Sequence, residues 1–495
     1  MNQSSVPSYP SWRGLLTARP TLAVLVVCAI GAALELSPWS DSVAIFSNPT
    51  RDVHDNEAPT APSDPTVGTV ELTVESRSPT AMAIPDGRET SKAPGFIGGA
   101  EAPLDLPSIE AEAPPVDLLD PSGKALDNFF FSLTKTQKKL PGAITRIAHF
   151  GDSVIVSDYV SGTLRQKLQT AFGDAGHGYM IIANAWPAYF HNDVFRFATN
   201  GFTVSRIVGP LAKDGLHGLG GVSFTASRGA LAQFGTAEKG DFGRNVSRFV
   251  LSYLAYPGGG TFELWADGQK VREVSSDAPQ VETRREELLV ADGEHRFELR
   301  HQSGVTRSFG VVLERDVPGV VLDALGVQGA RIRFLDKQDD SHYADELKWR
   351  NPQLIVYQFG ANESGDGYAY PMDEYLLTMK AVIKQGQDAL PESSCLIIGA
   401  MDRARVENGV TTSMKIIQLI VEQQEKAARE LGCAYFDTYR AMGGWGAMPN
   451  WVKRGLGQAD MTHPTGVGAI RIGNWIFQAL MKDYDAYLQR MQNKD

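Results

Sequence analysis

The chain has 495 residues, more than one hydrophobic core usually organises, so two folded units plus non-globular sequence are expected. Its apolar and charged fractions are those of an ordinary soluble protein, and a net charge of -11 argues against nucleic acid as a partner, since phosphate-backbone binding needs clustered Lys and Arg. Three cysteines, Cys28, Cys395 and Cys433, are too few for a disulfide framework.

Residues 1–19 read as a cytoplasmic N-terminus and 20–39 as a signal anchor or signal peptide. Pro20 to Leu34 carries no charge, Arg13 and Arg19 precede it, and Glu35 and Asp41 follow, an order that exports what comes after. The run is shorter than the ~20 residues of a comfortable span. No clean small-residue cleavage site follows, which favours an anchor, and bulky Val27 before Cys28 fits lipid attachment poorly. Residues 40–119 are rich in Pro, Ala, Ser, Thr and acids, cannot bury enough apolar surface to offset chain entropy, and read as a tether. The body is then expected in the cell envelope, periplasmic or otherwise extracytoplasmic, tied to the inner membrane.

Order is expected from residue 120. The apolar spacing predicts a short helix over 125–139, a strand over 144–150 and a helix over 156–172, so Gly151-Asp152-Ser153 falls at a strand-to-helix turn. The segment 192–318 has another rhythm. Strands over 247–256, 261–266, 295–300 and 308–314 alternate with Gly-rich turns, the pattern of an antiparallel sandwich inserted into the surrounding domain. Beyond it, buried strands over 354–359, 395–400 and 434–437 alternate with helices over 372–389 and 412–431, and a helix over 466–491 closes the chain. Alternating strands and helices imply an α/β fold with a doubly wound parallel sheet, built from 120–191 and 319–495. Cys395 and Cys433 fall in or beside two of these strands. A bridge would require the strands to be neighbours, and two buried thiols are the expectation.

Three motifs carry chemistry. Ser153 ends Phe150-Gly-Asp-Ser, where a strand meets a helix N-terminus. Asn362 ends Phe359-Gly-Ala-Asn after the next long strand, and its amide can donate to an oxyanion. In Asp460-Met-Thr-His463, a carboxylate three residues before an imidazole can hold Nδ1 and leave Nε2 free to take a serine proton. Taken singly these are also a helix cap, a turn residue, and a surface turn or metal-ligand pair. No third ligand stands at a recognisable spacing, so no metal is expected.

In this order the three motifs resemble blocks I, III and V of the SGNH/GDSL hydrolase superfamily. Leu322-Asp-Ala-Leu-Gly-Val-Gln-Gly-Ala330 fits block II, with Gly329 as its glycine and Gly326 as the alternative. The likeness covers residues 125–488 and is strongest to bacterial peptidoglycan and polysaccharide O-acetylesterases, whose Phe-Gly-Asp-Ala-Gly pattern is matched by Phe172 to Gly176 and which also carry a sandwich between blocks I and II. Two positions depart from the pattern: Val154 stands where many members have Leu, and Glu363 where Asp often follows the block III asparagine. The resemblance implies an SGNH-type fold and a serine esterase acting on an acylated polysaccharide. Ser153, Asp460 and His463 would be catalytic, with Ser153, Gly329 and Asn362 at the oxyanion, and no cofactor. An O-acetyltransferase and a non-catalytic glycan-binding scaffold are the alternatives. His177, Trp186, Asp402 and Trp265 are candidate substrate contacts, joined by His191, Arg403, Tyr253 and Tyr256; loop packing or sandwich core is the competing reading of each.

Overall fold

The computed structural model describes residues 112–493; the N-terminal apolar segment and most of the tether lie outside the described residues. Among the described residues no helix is long and apolar enough to cross a membrane.

The amphipathic stretch forms α1 (Asp127–Gln137), which buries Phe129, Phe130 and Leu133. Then come β1 (Ile144–Gly151), a single turn α2 (Ser153–Val156) and α3 (Tyr159–Phe172). Asp158, in the left-handed region at φ 52°, separates α2 from α3, and its buried carboxylate accepts hydrogen bonds from Ser161 and Arg165. After the inserted segment the chain runs through β2 (Gly319–Gly326), α4 (Asp340–Arg350), β3 (Leu354–Gln358), α5 (Met372–Ala389) and β4 (Ser394–Ile398). It continues through α6 (Lys415–Leu431), β5 (Ala434–Phe436), α7 (Thr438–Met442), α8 (Ala447–Lys453) and α9 (Gly466–Gln492).

The five strands form one parallel sheet in the order β2-β1-β3-β4-β5. Period-two alternation sends Phe150, Tyr357, Ile397 and Tyr435 into one layer and Ile147, Val356, Leu396 and Phe436 into the other. The second layer holds Phe129, Leu164 and Ile476, from α1, α3 and α9; the first holds Tyr343, Ile383 and Ile420, from α4, α5 and α6. Gly151 stands opposite Gly326 of β2 and Gln358 of β3, so three loops distant in sequence leave the sheet side by side at its C-terminal rim.

Cys395 of β4 and Cys433, just before β5, are joined in a disulfide with Cα atoms 4.7 Å apart, which corrects the expectation of two thiols. The parallel pairing of β4 with β5 brings them together, a neighbour relation the sequence does not state. With a sequence separation of 38 residues, replacing both cysteines by alanine is expected to cost roughly 3–4 kcal/mol of unfolding free energy by the loop-entropy relation. Urea midpoints of the double variant and of the parent, with and without reductant, would check this.

The inserted segment is a two-sheet sandwich. One sheet has the order Glu282–Gly293, Val246–Ala255, Thr306–Glu314, Val222–Ala226, Phe202–Arg206, and Gly176–Met180 also pairs with Thr306–Glu314. The other has the order Val194–Ala198, Leu231–Thr236, Arg296–Ser303, Thr261–Ala266, Gln269–Ser275. Their inner faces meet through Phe249 stacked on Phe297 and Tyr253 edge-on to Phe262, each pair with centroids 5.1 Å apart. Two boundaries shift from the sequence reading. Gly176–Met180 joins a sandwich sheet before residue 192, and the end of the tether is ordered. Leu119 exchanges backbone hydrogen bonds with Tyr435 on edge strand β5, and Glu112 pairs with Arg471 of α9.

A buried ionic cluster fixes the sandwich against the parallel sheet. Arg350 of α4 bonds Asp323 of β2 and Glu314 of the sandwich at 2.8 Å each, and Arg146 of β1 reaches Glu314 at the same distance. Charges this deep are tolerated because each carboxylate is paired and hydrogen-bonded.

Candidate active site

Gly151 ends β1 where a side chain does not fit: a Cβ there would lie 2.3 Å from Ile155 Cγ1 and 3.1 Å from the Gln358 carbonyl. The chain therefore turns sharply. Asp152 caps α2 by accepting the Val154 N–H at 3.0 Å, and Ser153 is presented at the rim. Burial pushes the Asp152 carboxyl up to about 6, against the Val154 hydrogen bond and the nearby charge of His463.

The loop before α9 brings His463 to the serine. Ser153 Oγ is 2.8 Å from His463 Nε2, and His463 Nδ1 is 2.5 Å from Asp460 Oδ2. Asp460 Oδ1 also accepts the backbone N–H groups of Thr462 and His463 at 2.9 and 3.0 Å, so the short Asp-x-x-His loop fixes its own carboxylate. Burial opposes ionisation of Asp460, but these hydrogen bonds outweigh it and hold the carboxyl down at about 2. Burial likewise opposes the imidazolium of His463. The hydrogen bond and charge of Asp460, with the charge of Asp152, prevail and set His463 above its ordinary 6.5. With Nδ1–H donated to Asp460, Nε2 is left as an acceptor facing the Ser153 hydroxyl, an arrangement able to take a proton from it.

The other rim loops stand beside this pair. Gly329, at φ 78° in the loop after β2, is exposed, and a Cβ there would meet nothing within 4 Å. Gly326 differs: a Cβ there would lie 2.3 Å from the Val156 amide nitrogen, so its role is close packing of β2 against α2. Of the two block II candidates, Gly329 is the one whose backbone faces open space, and among the described residues nothing accepts its N–H. Asn362 Nδ2 donates to the Ala330 carbonyl at 2.9 Å, which orients the amide and leaves its second hydrogen free. Glu363 crosses from the same loop to accept the Ile332 N–H at 2.9 Å. It is fully enclosed, and burial pushes its carboxyl up to about 7.

Arg403 clamps two of these loops together. Its Nε donates to Thr462 Oγ1 at 3.0 Å beside His463, and its Nη1 donates to the Ala361 carbonyl at 2.9 Å and Ser364 Oγ at 3.0 Å beside Asn362. The sequence placed Arg403 near the cleft by its position after a strand; the clamp itself, and the reach of Glu363 to Ile332, had no sequence signal.

Other candidates lie elsewhere. Asp402 is fully buried and holds Ser413 Oγ at 2.7 Å and the Met448 N–H at 2.8 Å, so it anchors the 404–413 hairpin to α8. Trp186 is enclosed in the hydrophobic layer shared with the sandwich. His177 is buried with its Nε2 donating to the Asp193 carbonyl, and His191 packs 3.7 Å from the Asp158 carboxylate. These two belong to an internal polar cluster around Asp158 and Arg165. Trp265 lies on the outer face of its sheet, with Arg300 3.8 Å over the ring and Nε1–H donated to Glu263 at 2.9 Å. Tyr253 is sandwich core, and the Tyr256 hydroxyl donates to the Val305 carbonyl at 2.6 Å. Among the described residues no third His, Cys, Asp or Glu joins Asp460 and His463 in a metal-binding group.

No family model and no curated protein matches the sequence. Among solved structures, a peptidoglycan O-acetylesterase superposes with a TM-score of 0.62 at 20% identity, covering 74% of this chain and 99% of that one. A family two carbohydrate esterase from Cellvibrio japonicus reaches a TM-score of 0.24 at 14% identity over 60% of this chain and 99% of its own. A lipase/acylhydrolase from Enterococcus faecalis reaches 0.27 at 18% identity over 33% and 77%. The last two superpose too loosely to bear on the architecture. The first covers most of the described residues, and the chain therefore shares its fold, a parallel α/β sheet accompanied by antiparallel sheets.

Proposed function

We propose that this protein is a serine esterase that removes O-acetyl groups from a cell-envelope polysaccharide such as peptidoglycan. The observation that carries the reading is the continuous path from Ser153 Oγ to His463 Nε2 at 2.8 Å and from His463 Nδ1 to Asp460 at 2.5 Å, at the sheet rim. Ser153 Oγ attacks the acetyl carbonyl while His463 takes its proton. The oxyanion is met by the N–H groups of Ser153 and Gly329 and by the free amide hydrogen of Asn362. His463 returns the proton to the departing sugar oxygen, and the acetyl group remains on Ser153. Water, deprotonated by His463, then attacks the acyl-serine; as the acyl–Oγ bond breaks, His463 returns the proton to Ser153 Oγ, and acetate leaves. Arg403 and Glu363 hold the loops and touch no reacting atom.

The choice of polysaccharide is supported by the structural neighbour, a peptidoglycan O-acetylesterase, and by the export pattern of residues 13–41. We place the body in the envelope, anchored to the inner membrane through the N-terminal apolar segment. The purified protein is expected to release acetate from O-acetylated peptidoglycan and from an aryl acetate. Activity on the aryl ester with none on any acetylated polymer would reject the polysaccharide. Transfer of the acetyl group to an added glycan acceptor, without free acetate, would make the enzyme a transferase.

A further inference from the structure

A basic cluster adjoins the proposed oxyanion loop. The turn Ile332–Lys337 follows directly on Gly329, Ala330 and Arg331, and it surrounds one ring with three cations. From the Phe334 centroid, Lys337 Nζ lies at 3.8 Å, Arg333 Cζ at 5.6 Å and Arg331 Cζ at 6.0 Å. Arg331 is neutralised: it pairs with Asp366 at 2.5 Å and donates to the Asn362 carbonyl at 3.3 Å. Arg333 and Lys337 have no ion pair among the described residues, and Asp336 of the same turn does not supply one. Arg333 is nonetheless held in place, with its guanidinium 5.1 Å over the Tyr370 ring and its Nε buried without a hydrogen-bond partner. Burial and the charges of Arg333 and Arg331 together lower the Lys337 ammonium, so the cluster is under mutual repulsion.

Lys337 is exposed and Arg333 half-buried, so both present positive charge to solvent without a protein carboxylate to neutralise it, and an anion reaching them gains that attraction. The turn and the residue pair before it are also tied to the loop that carries Asn362. Ala330 holds the Asn362 amide, and Ile332 donates to Glu363.

We propose that Arg333 and Lys337 form a subsite for a carboxylate of the acetylated polysaccharide. This rests on the esterase reading and sharpens it, because the preferred substrate becomes an acidic glycan. The carboxylate belongs to a sugar ring, as in a polyuronate, or to the lactyl and peptide groups of peptidoglycan; the chemistry recognised is the same. Binding separates this inference from the esterase reading, since it needs no turnover. Full-length Ser153→Ala protein would be titrated with an acetylated oligogalacturonate, a peptidoglycan fragment and a neutral acetylated xylo-oligosaccharide, with and without Arg333→Gln and Lys337→Gln together. At least one acidic ligand is expected to bind more tightly than the neutral one. That preference should fall roughly three- to tenfold in the double variant and weaken as salt is raised. Which acidic ligand shows it identifies the source of the carboxylate. Equal affinity for acidic and neutral ligands, or a preference that survives the double substitution, overturns the proposal. Failure of the esterase reading would appear separately, as missing acetate release by the parent protein.

Discussion

Ser153→Ala is expected to lower kcat for an aryl acetate by at least about four orders of magnitude while leaving the unfolding midpoint unchanged. The size follows from what is removed. Without Oγ there is no acyl-serine, His463 has no proton to accept from the nucleophile, and only the oxyanion donors and substrate positioning remain. The stability forecast follows from the local geometry. The hydrogen bond from Oγ is made to His463 at the partly open rim, whereas the cap of α2 comes from Asp152 and the turn from Gly151. A serine-directed phosphonate should label the peptide containing residue 153 in the parent and none in the variant. Retention of more than a few per cent of activity with the fold intact would show that the reaction does not pass through this hydroxyl, and the esterase mechanism would fall with it.

Much of this site was readable before the fold. Ser153, Asn362 and His463 each follow or precede a periodic element, and a parallel sheet sends the loops after β1, β2 and β3 to one rim whatever lies between them. An insertion of more than a hundred residues leaves that logic intact because strand order, not chain distance, sets the neighbours. The same dependence on neighbours explains the misses. Cys395 and Cys433 meet only because β4 pairs with β5, and residues 112–119 dock through Leu119 on that strand's free edge and through Glu112 and Asp117 on α9. Asp402 and His177 are polar residues near strand ends, as Ser153 and Asn362 are. They differ in facing inward onto Ser413 and Asp193, a direction that period and composition do not encode. Edge strands such as Gln269–Ser275, largely exposed and charged, carry too little alternation to be recognised alone.

Asp460→Asn is the second large effect: kcat for the aryl acetate should drop by about three to four orders of magnitude with little change in KM, because the carboxylate acts on the imidazole and not on the bound ester. An amide in its place turns a donor or a weak acceptor toward Nδ1, and the tautomer that leaves Nε2 free is no longer enforced. The pH profile gives an independent readout. His463 works as a base only when neutral, so kcat/KM must rise with pH through its pKa, which in the parent lies above 6.5; the acid limb is then expected above that pH. Burial works against the imidazolium, and the hydrogen bond and charge of Asp460 are what overcome it. Removing that charge leaves burial and the positive charge of Arg403 opposed mainly by Asp152, so the residual activity of the variant should show its acid limb displaced to lower pH. A loss of rate with no displacement would mean that Asp460 shapes the loop through its backbone hydrogen bonds to Thr462 and His463 without governing the charge of the imidazole. Displacement upward would contradict the electrostatic account of the site altogether.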